Sequence, residues 1–459
     1  MFFQQIYDKS LAQASYLIGC QATGEAIVVD AKRDVDTYLE IAKQQNLRIT
    51  KLTETHIHAD FLSGTRELAA LTQAKMYLSD EGGADWQYEF AHEGLKHGDE
   101  IVVGNLTFKV LHTPGHTPES ISLLLTDHPA TNHPVMLFTG DFVFVGDVGR
   151  PDLLEVAAGI SGSKEAGAKQ MFESLQQFAA LPEYVQVWPG HGAGSSCGKA
   201  LGAVPNSTVG YEKIRNWALQ SSQQDQFVRQ LLEGQPAAPT YFAEMKVRNK
   251  TDRPLLLEVP TVEKLRLDDV LEAQQEGVQV VDTRAKFAFA EGHLPKTLNI
   301  QLNNSFATWC GWMLNYQHDI VLIVDEDKSE DAVRKLMRIG MDRVRGYLSS
   351  TDADFLVAAS TKTKAVTQSE LKELIRDTEN LQLVDVRNAS EYENGHIDGA
   401  INHFVGTLPK HFQSLSKELP VAIYCQSGDR AAIASSYLQQ QGFEKIFVYF
   451  GGMAEWNKK

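Results

Sequence analysis

Two histidines and an aspartate crowd into the run Thr55-His56-Ile57-His58-Ala59-Asp60, and Phe61 follows. Imidazole nitrogens and carboxylate oxygens are the ligand atoms that proteins most often offer a transition-metal ion. Gathering such groups this tightly is costly unless a cation compensates them. The apolar ring of Phe61, at the next position, can ligate nothing. The run therefore predicts one metal ion rather than two.

Three further turns share its placement. His116 lies in Thr113-Pro114-Gly115-His116, after an apolar run ending near Leu111. Asp141 lies in Thr139-Gly140-Asp141, after Val135 to Phe138, and His191 lies in Trp188-Pro189-Gly190-His191, after Val185 to Val187. Layered folds bring strand ends to a common edge where loops converge, and the neighbouring glycines let the backbone turn sharply and approach a ligand. A lone histidine after a strand is usually a hydrogen-bonded surface residue. Four clusters in one strand-then-loop context favour a metal centre.

A second chemistry-bearing segment is Cys425-Gln426-Ser427-Gly428-Asp429-Arg430, after the apolar run Val421 to Tyr424. A helix is expected from this turn to about Gln441, with Gly442 closing it. A nucleophilic thiol must ionise near neutral pH. Successive backbone N–H groups, a helix N-terminus and Arg430 all favour the thiolate. The same cradle suits a Cys–S–S⁻ intermediate and an oxyanion such as sulfite. A buried structural cysteine is the commoner fate of a thiol after an apolar strand. The C-x-x-G-x-R spacing, with Asp385-Val386-Arg387 and Gly395-His396-Ile397 upstream, favours catalysis here.

These segments need scaffolds. A chain of 459 residues allows two to four domains. Its 43% hydrophobic and 22% charged content is ordinary for globular protein. A net charge of −16 speaks against nucleic acid or an anionic membrane as partner. The start Met1-Phe2-Phe3-Gln4 lacks the features of a signal peptide, and no apolar run is long enough to span a bilayer. Four cysteines without a C-x-x-C pair suit a reducing cytoplasm. Cys20 and Cys310 read as buried packing residues. Cys197, six residues past His191 in a small-residue loop, is a candidate for redox modification or for contacting substrate sulfur, although an incidental loop thiol is the commoner case.

Strands are expected at Ala26 to Val29, Ile49 to Thr53, Ile121 to Leu125, Val135 to Phe138 and Val185 to Trp188. Val35, Tyr38, Leu39 and Ala42 form a helical stripe, and Gly104-Asn105 marks a two-residue hairpin. A polar break from Arg248 to Pro254 reads as a boundary. Beyond it the chain repeats itself: Val280-Val281-Asp282-Thr283-Arg284 leads to Gly292-His293-Leu294, and Leu383-Val384-Asp385-Val386-Arg387 leads to Gly395-His396-Ile397, at the same interval. Each copy alternates β and α elements, hence two related α/β domains with mainly parallel sheets. The expected layout is a metal-binding domain over residues 1–247, a linker over 248–261, a first repeat over 262–357 and a second over 366–459, with 358–366 as the joint.

The clusters around His56, His116, Asp141 and His191 resemble the metallo-β-lactamase superfamily, and within it the persulfide dioxygenase branch. That resemblance implies an αββα sandwich holding one Fe(II) per chain on His56, His116 and Asp141. His58, Asp60 and His191 would then orient ligands and substrate. Gly149-Arg150-Pro151-Asp152 matches a segment of that branch, which makes Arg150 a candidate for positioning an anionic substrate. The superfamily motif usually continues with a histidine where Phe61 stands. Two histidines and one carboxylate with open positions suit Fe(II) that binds both a substrate and O2.

Residues from about 366 onward resemble a rhodanese-type sulfurtransferase, with Cys425 as the sulfur carrier and Gln426 to Arg430 as its loop. The first repeat resembles the same fold, but its aligned turn, Asp325-Glu326-Asp327-Lys328-Ser329, carries no cysteine and reads as inactive, a spacer or an assembly surface. As a whole the chain resembles persulfide dioxygenase–sulfurtransferase fusions of bacterial sulfide detoxification. The resemblance implies oxidation of a low-molecular-weight thiol persulfide with O2 to sulfite, then transfer of sulfur through Cys425 to give thiosulfate, in a homo-dimer or tetramer. The rivals are a glyoxalase II-like thioester hydrolase and a sulfur carrier whose metal domain is structural.

Overall fold

The computed structural model describes residues 1–153, 155, 162–195, 197–198 and 201–458. The chain forms two compact units, Met1–Val259 with Met337–Gly340, and Pro260–Leu336 with Met341–Lys459. Among the described residues, no helix is long and apolar enough to cross a membrane.

The first unit contains two six-stranded sheets. One runs β1 (Phe2–Asp8), β2 (Gln13–Cys20), β3 (Glu25–Val29), β4 (Arg48–Thr53), β5 (Lys75–Ser79), β6 (Glu93–Leu95) in chain order. The other contains β7 (Glu100–Val103), β8 (Leu106–His112), β9 (Ile121–Asp127), β10 (Met136–Gly140), β13 (Gln186–Pro189) and β14 (Ser207–Thr208), in the order β14-β13-β10-β9-β8-β7. A small ribbon, β11 (Val143–Phe144) with β12 (Asp147–Val148), follows β10. The expected hairpin is present, with Val103 opposite Leu106 across Gly104-Asn105.

Continuous apolar runs such as Ala26 to Val29 are explained by burial on both faces. Ile27 and Val29 join Ile18, Phe108, Leu123 and Phe138 in the core between the sheets. Ala26 and Val28 face the other way, onto Tyr38, Ala42 and Leu68. Tyr38 and Ala42 belong to the expected helix, observed as Asp36–Gln44. The second sheet repeats the pattern: Leu137 and Val187 meet Met171, Leu175 and Phe178 of the helix Ser163–Ala179. The result is the expected αββα sandwich.

The segment expected as a linker packs into this unit. Asn249, at the end of the helix Phe242–Lys250, donates to the carbonyls of His58 and Phe61, both at 2.8 Å. Arg253 holds the buried Glu67 carboxylate through both of its Nη atoms, at 2.6 and 3.0 Å.

In the second unit all sheet pairs are parallel. The first repeat has β15 (Gln279–Asp282), β16 (Leu298–Asn299), β17 (Ile320–Val324) and β18 (Val344–Ser349), in the order β16-β15-β17-β18. The second has β19 (Lys364–Ala365), β20 (Gln382–Asp385), β21 (Ile401–Asn402), β22 (Val421–Tyr424) and β23 (Ile446–Tyr449), in the order β19-β23-β22-β20-β21. Removing β19 leaves the same order as in the first repeat.

The duplicated sequence motifs form duplicated locks. Arg284 grips Asp282 and donates to the Gly292 carbonyl at 2.8 Å. Arg387 grips Asp385 and donates to the Gly395 carbonyl at 2.7 Å. His293 stacks on Phe289 and His396 on Tyr392, each with ring centroids 3.8 Å apart. The lock is equally complete in the copy without a nucleophile, so its work is to fix the strand-to-helix turn. Asp385→Ala leaves a nearly buried guanidinium without its carboxylate and is expected to cost about 3 kcal/mol. Asp282→Ala should cost a similar amount, and urea denaturation followed by circular dichroism measures both.

Candidate metal centre and thiol loop

Strand ends converge as the sequence implied. His56 and His58 follow β4, His116 follows β8, Asp141 follows β10 and His191 follows β13. All of them are buried. Among the described residues, two groups of ligand atoms gather closely enough to hold an ion: His56, His116 and Asp141, and separately Asp60, His191 and Cys197. The first is the set expected for the metal. The second was not named as a ligand set from sequence, which read Asp60 and His191 as supporting residues and Cys197 as a candidate for redox modification or substrate contact.

The first group fits a metal ion by the disposition of its polar atoms. His56 Nδ1 lies 3.0 Å from Thr55 Oγ1, and His116 Nδ1 lies 3.0 Å from the Arg150 carbonyl. Both rings thus spend Nδ1 on the protein and turn Nε2 inward. Those Nε2 atoms lie 3.8 and 3.5 Å from Asp141 Oδ2. Among the described residues, neither Asp141 oxygen has a hydrogen-bond donor. A buried carboxylate left this way is costly, and a cation shared with two imidazoles removes the cost. Burial, then the neighbouring imidazoles, hold His56 well below the usual histidine range. Burial also lowers His116, against the raising effect of Asp141. Both rings are therefore neutral and able to ligate.

Backbone shape allows this closeness. Gly140 has φ +51°, and a Cβ there would come within 2.2 Å of Thr55 Oγ1. A Cβ on Gly190 would come within 2.6 Å of Asp141 Oδ1.

His58 is outside this group, although its ring centroid lies 4.2 Å from that of His56 and its Nδ1 has no partner among the described residues. Its Nε2 bonds Asp30 Oδ1 at 3.1 Å, while Asp30 also accepts from the Thr55 N–H at 2.7 Å and the Thr55 hydroxyl at 2.9 Å. Glu119 Oε1 accepts from the Ile57 N–H at 2.8 Å. Asp30, Glu119 and Asn249 thus fix the loop that carries His56, and sequence reading missed all three. Asp30 was findable, because it ends an apolar strand just as Asp141 does. Glu119 and Asn249 sit at positions without any such pattern. Phe61 is buried, its ring 4.3 Å from that of His58.

In the second group, His191 Nε2 lies 3.2 Å from Asp60 Oδ2 and 3.5 Å from Asp141 Oδ1. Burial lowers His191, but Asp141 and Asp60 outweigh it and raise the ring well above the usual range. The Cys197 thiol is pushed up to about 12, by burial first and then by Asp60 and Asp141. Arg150 reaches the site through its carbonyl; its guanidinium is buried and pairs with Asp152 and the Pro236 carbonyl at 2.7 Å. Cys20 and Cys310 are buried, as expected.

The thiol loop follows β22 and opens the helix Asp429–Gln440, with Gly442 at φ +87° just beyond it. The Gly428 N–H donates to Cys425 Sγ at 3.0 Å. Arg430 is committed to Glu391, both Nη atoms bonding its carboxylate at 2.6 and 2.7 Å. The Gly428 N–H thus meets the sulfur directly, while Arg430, held by Glu391, acts on Cys425 through its charge. The equivalent turn of the first repeat pairs Lys328 with Asp325.

Residues 10–191 match the model of the metallo-beta-lactamase superfamily. A hydroxyacylglutathione hydrolase of Rhodopseudomonas palustris is 30% identical over 236 residues, covering 51% of this chain and 80% of that protein. The chain belongs to the metallo-beta-lactamase superfamily. Another member similar to it is the mitochondrial persulfide dioxygenase ETHE1 of Bos taurus, 26% identical over 200 residues, covering 42% of this chain and 68% of that one. A crystal structure of a metallo-beta-lactamase from Staphylococcus aureus superposes with TM-score 0.71 at 47% identity, covering 76% of this chain and 99% of that chain. This superfamily member continues into a rhodanese-like domain, whose model matches residues 367–459 and so includes Cys425.

The His58–Asp30 pair carries a pH signature. Burial alone would lower His58, yet the charge and hydrogen bond of Asp30 push it up to about 9 from 6.5. A raised histidine stabilises the fold fully below its unfolded value and loses that contribution as pH rises through the folded one. Asp30→Asn should therefore be about 3 kcal/mol less stable than the parent below pH 6.5. The gap should narrow as pH passes about 9, as read from denaturation midpoints across pH.

Proposed function

We propose that this protein is a non-haem iron persulfide dioxygenase joined to a sulfurtransferase, acting in sulfide detoxification. The observation that carries the reading is the ligand set itself. His56, His116 and Asp141 lie close enough to hold one ion between them, and the apolar Phe61 follows Asp60 where a further ligand would be wanted. One Fe(II) held there would supply open positions for a thiol persulfide and for O2, which a hydrolytic zinc site has no need of.

The net reaction is RSS⁻ + O2 + H2O → RSH + SO3²⁻ + H⁺, in which the terminal sulfur is oxidised and O2 reduced. Thr55 and the Arg150 carbonyl hold the two ligating rings in orientation. His191, with Nε2 3.2 Å from Asp60 and 3.5 Å from Asp141, stands beside the site where it could pass a proton to the departing thiolate. At the second site the Cys425 thiolate attacks the outer sulfur of another persulfide, forming Cys–S–SH and releasing RS⁻. Sulfite then attacks that outer sulfur, and the S–S bond breaks to return the Cys425 thiol and release thiosulfate. The product of the first site is thus the acceptor at the second.

A thioester hydrolase is the second reading. The hydroxyacylglutathione hydrolase relative is the more similar in sequence, and Asp60, His191 and Cys197 are close enough to take another ion. Against it stand Phe61 and the Asp60–His191 pair, which balance each other without a metal.

Protein purified without oxygen should contain one iron per chain and consume O2 with a defined low-molecular-weight persulfide. Cys197→Ala should leave the iron content unchanged. His116→Ala should lower iron content and O2 uptake at least ~100-fold, beyond the loss of a supporting partner, while keeping sulfur transfer from thiosulfate. Cys425→Ser should keep O2 uptake and shift the product from thiosulfate to sulfite. Two zinc ions per chain with thioester hydrolysis would overturn the reading.

A further inference from the structure

The turn that presents Cys425 is braced from outside its own repeat. Lys286 opens the short helix Lys286–Glu291 of the first repeat. Its Nζ donates to the Ser427 carbonyl at 2.6 Å and to Asp429 Oδ1 at 2.7 Å. Asn303, also of the first repeat, donates to Asp429 Oδ2 at 3.3 Å. Phe287 meets Phe450 edge-on, with ring centroids 5.1 Å apart. A Cβ built on Gly428 would lie 3.0 Å from Lys286 Nζ, and Gly428 is the residue whose N–H reaches the Cys425 sulfur.

The charges around the loop give this ammonium its importance. Arg430 is committed to Glu391, and Arg387 to Asp385. Asp429 sits on the loop itself, where an unopposed carboxylate would repel anionic sulfur species. Lys286 supplies the cation that offsets it. A partly exposed ion pair by itself contributes little, but this lysine also anchors a loop carbonyl. Nor does the fold require a lysine at the position. Lys286 lies four residues after Asp282, and the residue four after Asp385 is Ala389, in a repeat with the same lock.

We propose that Lys286 is a positioning residue for the Cys425 site, so that the repeat without a nucleophile completes the sulfur-transfer loop. The ammonium turns the Ser427 carbonyl outward, which leaves the Gly428 N–H aimed at sulfur. It also neutralises Asp429 on the approach of anionic sulfane-sulfur donors and sulfite. The role in turnover rests on the sulfurtransferase reading above; the effect on the thiol does not.

The test uses the full chain with Lys286→Met, Lys286→Arg and Asp429→Asn. Thiosulfate-to-cyanide transfer should lose about tenfold in kcat/KM in Lys286→Met, chiefly through KM, as expected for one charge-assisted hydrogen bond. Lys286→Arg should recover most of it. Asp429→Asn, which keeps the Lys286 bond to Ser427, should hold or improve the KM for thiosulfate. The pH–rate profile of iodoacetamide alkylation at Cys425, read by peptide mass spectrometry, should move to higher pH in Lys286→Met and return in Lys286→Arg. If the parent transfers no sulfur but the alkylation profile still shifts, the sulfurtransferase reading fails while the assignment of Lys286 stands. A parental KM and an unmoved alkylation profile in Lys286→Met would overturn the proposal, as would a raised KM for thiosulfate in Asp429→Asn.

Discussion

A carboxylate buried without a hydrogen-bond donor is the constraint around which the first unit is organised. Asp141 is 2% exposed, and neither of its oxygens has a donor among the described residues. An uncompensated charge in such surroundings would cost several kcal/mol. Two neutral imidazoles stand within 4 Å of it, each tied back by its other nitrogen, so that the three side chains present ligand atoms to one point. That arrangement is unfavourable without a cation and favourable with one, so metal binding and the stability of this edge of the sandwich are the same free energy. Gly140 and Gly190 allow the approach, and Asp30, Glu119 and Asn249 prevent the loop from relaxing away from it.

The second unit manages negative charge differently. Its thiol loop offers main-chain N–H groups and a helix N-terminus, both dipolar and fixed by the turn itself. No cation need be acquired for a thiolate to be stabilised there. The duplicated Asp-x-Arg lock holds the preceding turn in both repeats, so its presence says nothing about chemistry. What differs is the turn after β17 or β22. One carries Cys425 with the Gly428 N–H on its sulfur, and the other carries an Asp325–Lys328 pair. The two repeats share the scaffold and differ in this turn, and Lys286 and Asn303 of the first repeat rest on the thiol loop of the second.

The residues expected to engage anions through their guanidinium groups prove to be occupied. Arg150 is buried against Asp152, and Arg430 is held by Glu391. A spacing motif identifies an arginine near a site but not the carboxylate that will claim it. The partner sits 39 residues away in the case of Arg430 and only two in the case of Arg150. The reverse holds for Asp60, His191 and Cys197, which meet although separate motifs carry them.

The sequence by itself determined the alternation of strands and helices, the internal repeat, and the candidate histidine, aspartate and cysteine side chains placed one turn past a strand. Each of those is written in local spacing: a period of apolar residues, a repeated interval, a histidine or cysteine one turn past a strand. Only the tertiary structure decided which way His58 points, that Asn249 and Arg253 belong to the sandwich and not to a linker, and that a lysine from one repeat closes the loop of the other. Those outcomes are settled by which buried charge finds a partner once distant segments are packed together. Coulomb energy in a low-dielectric interior depends on separations in space, and no interval along the chain encodes them.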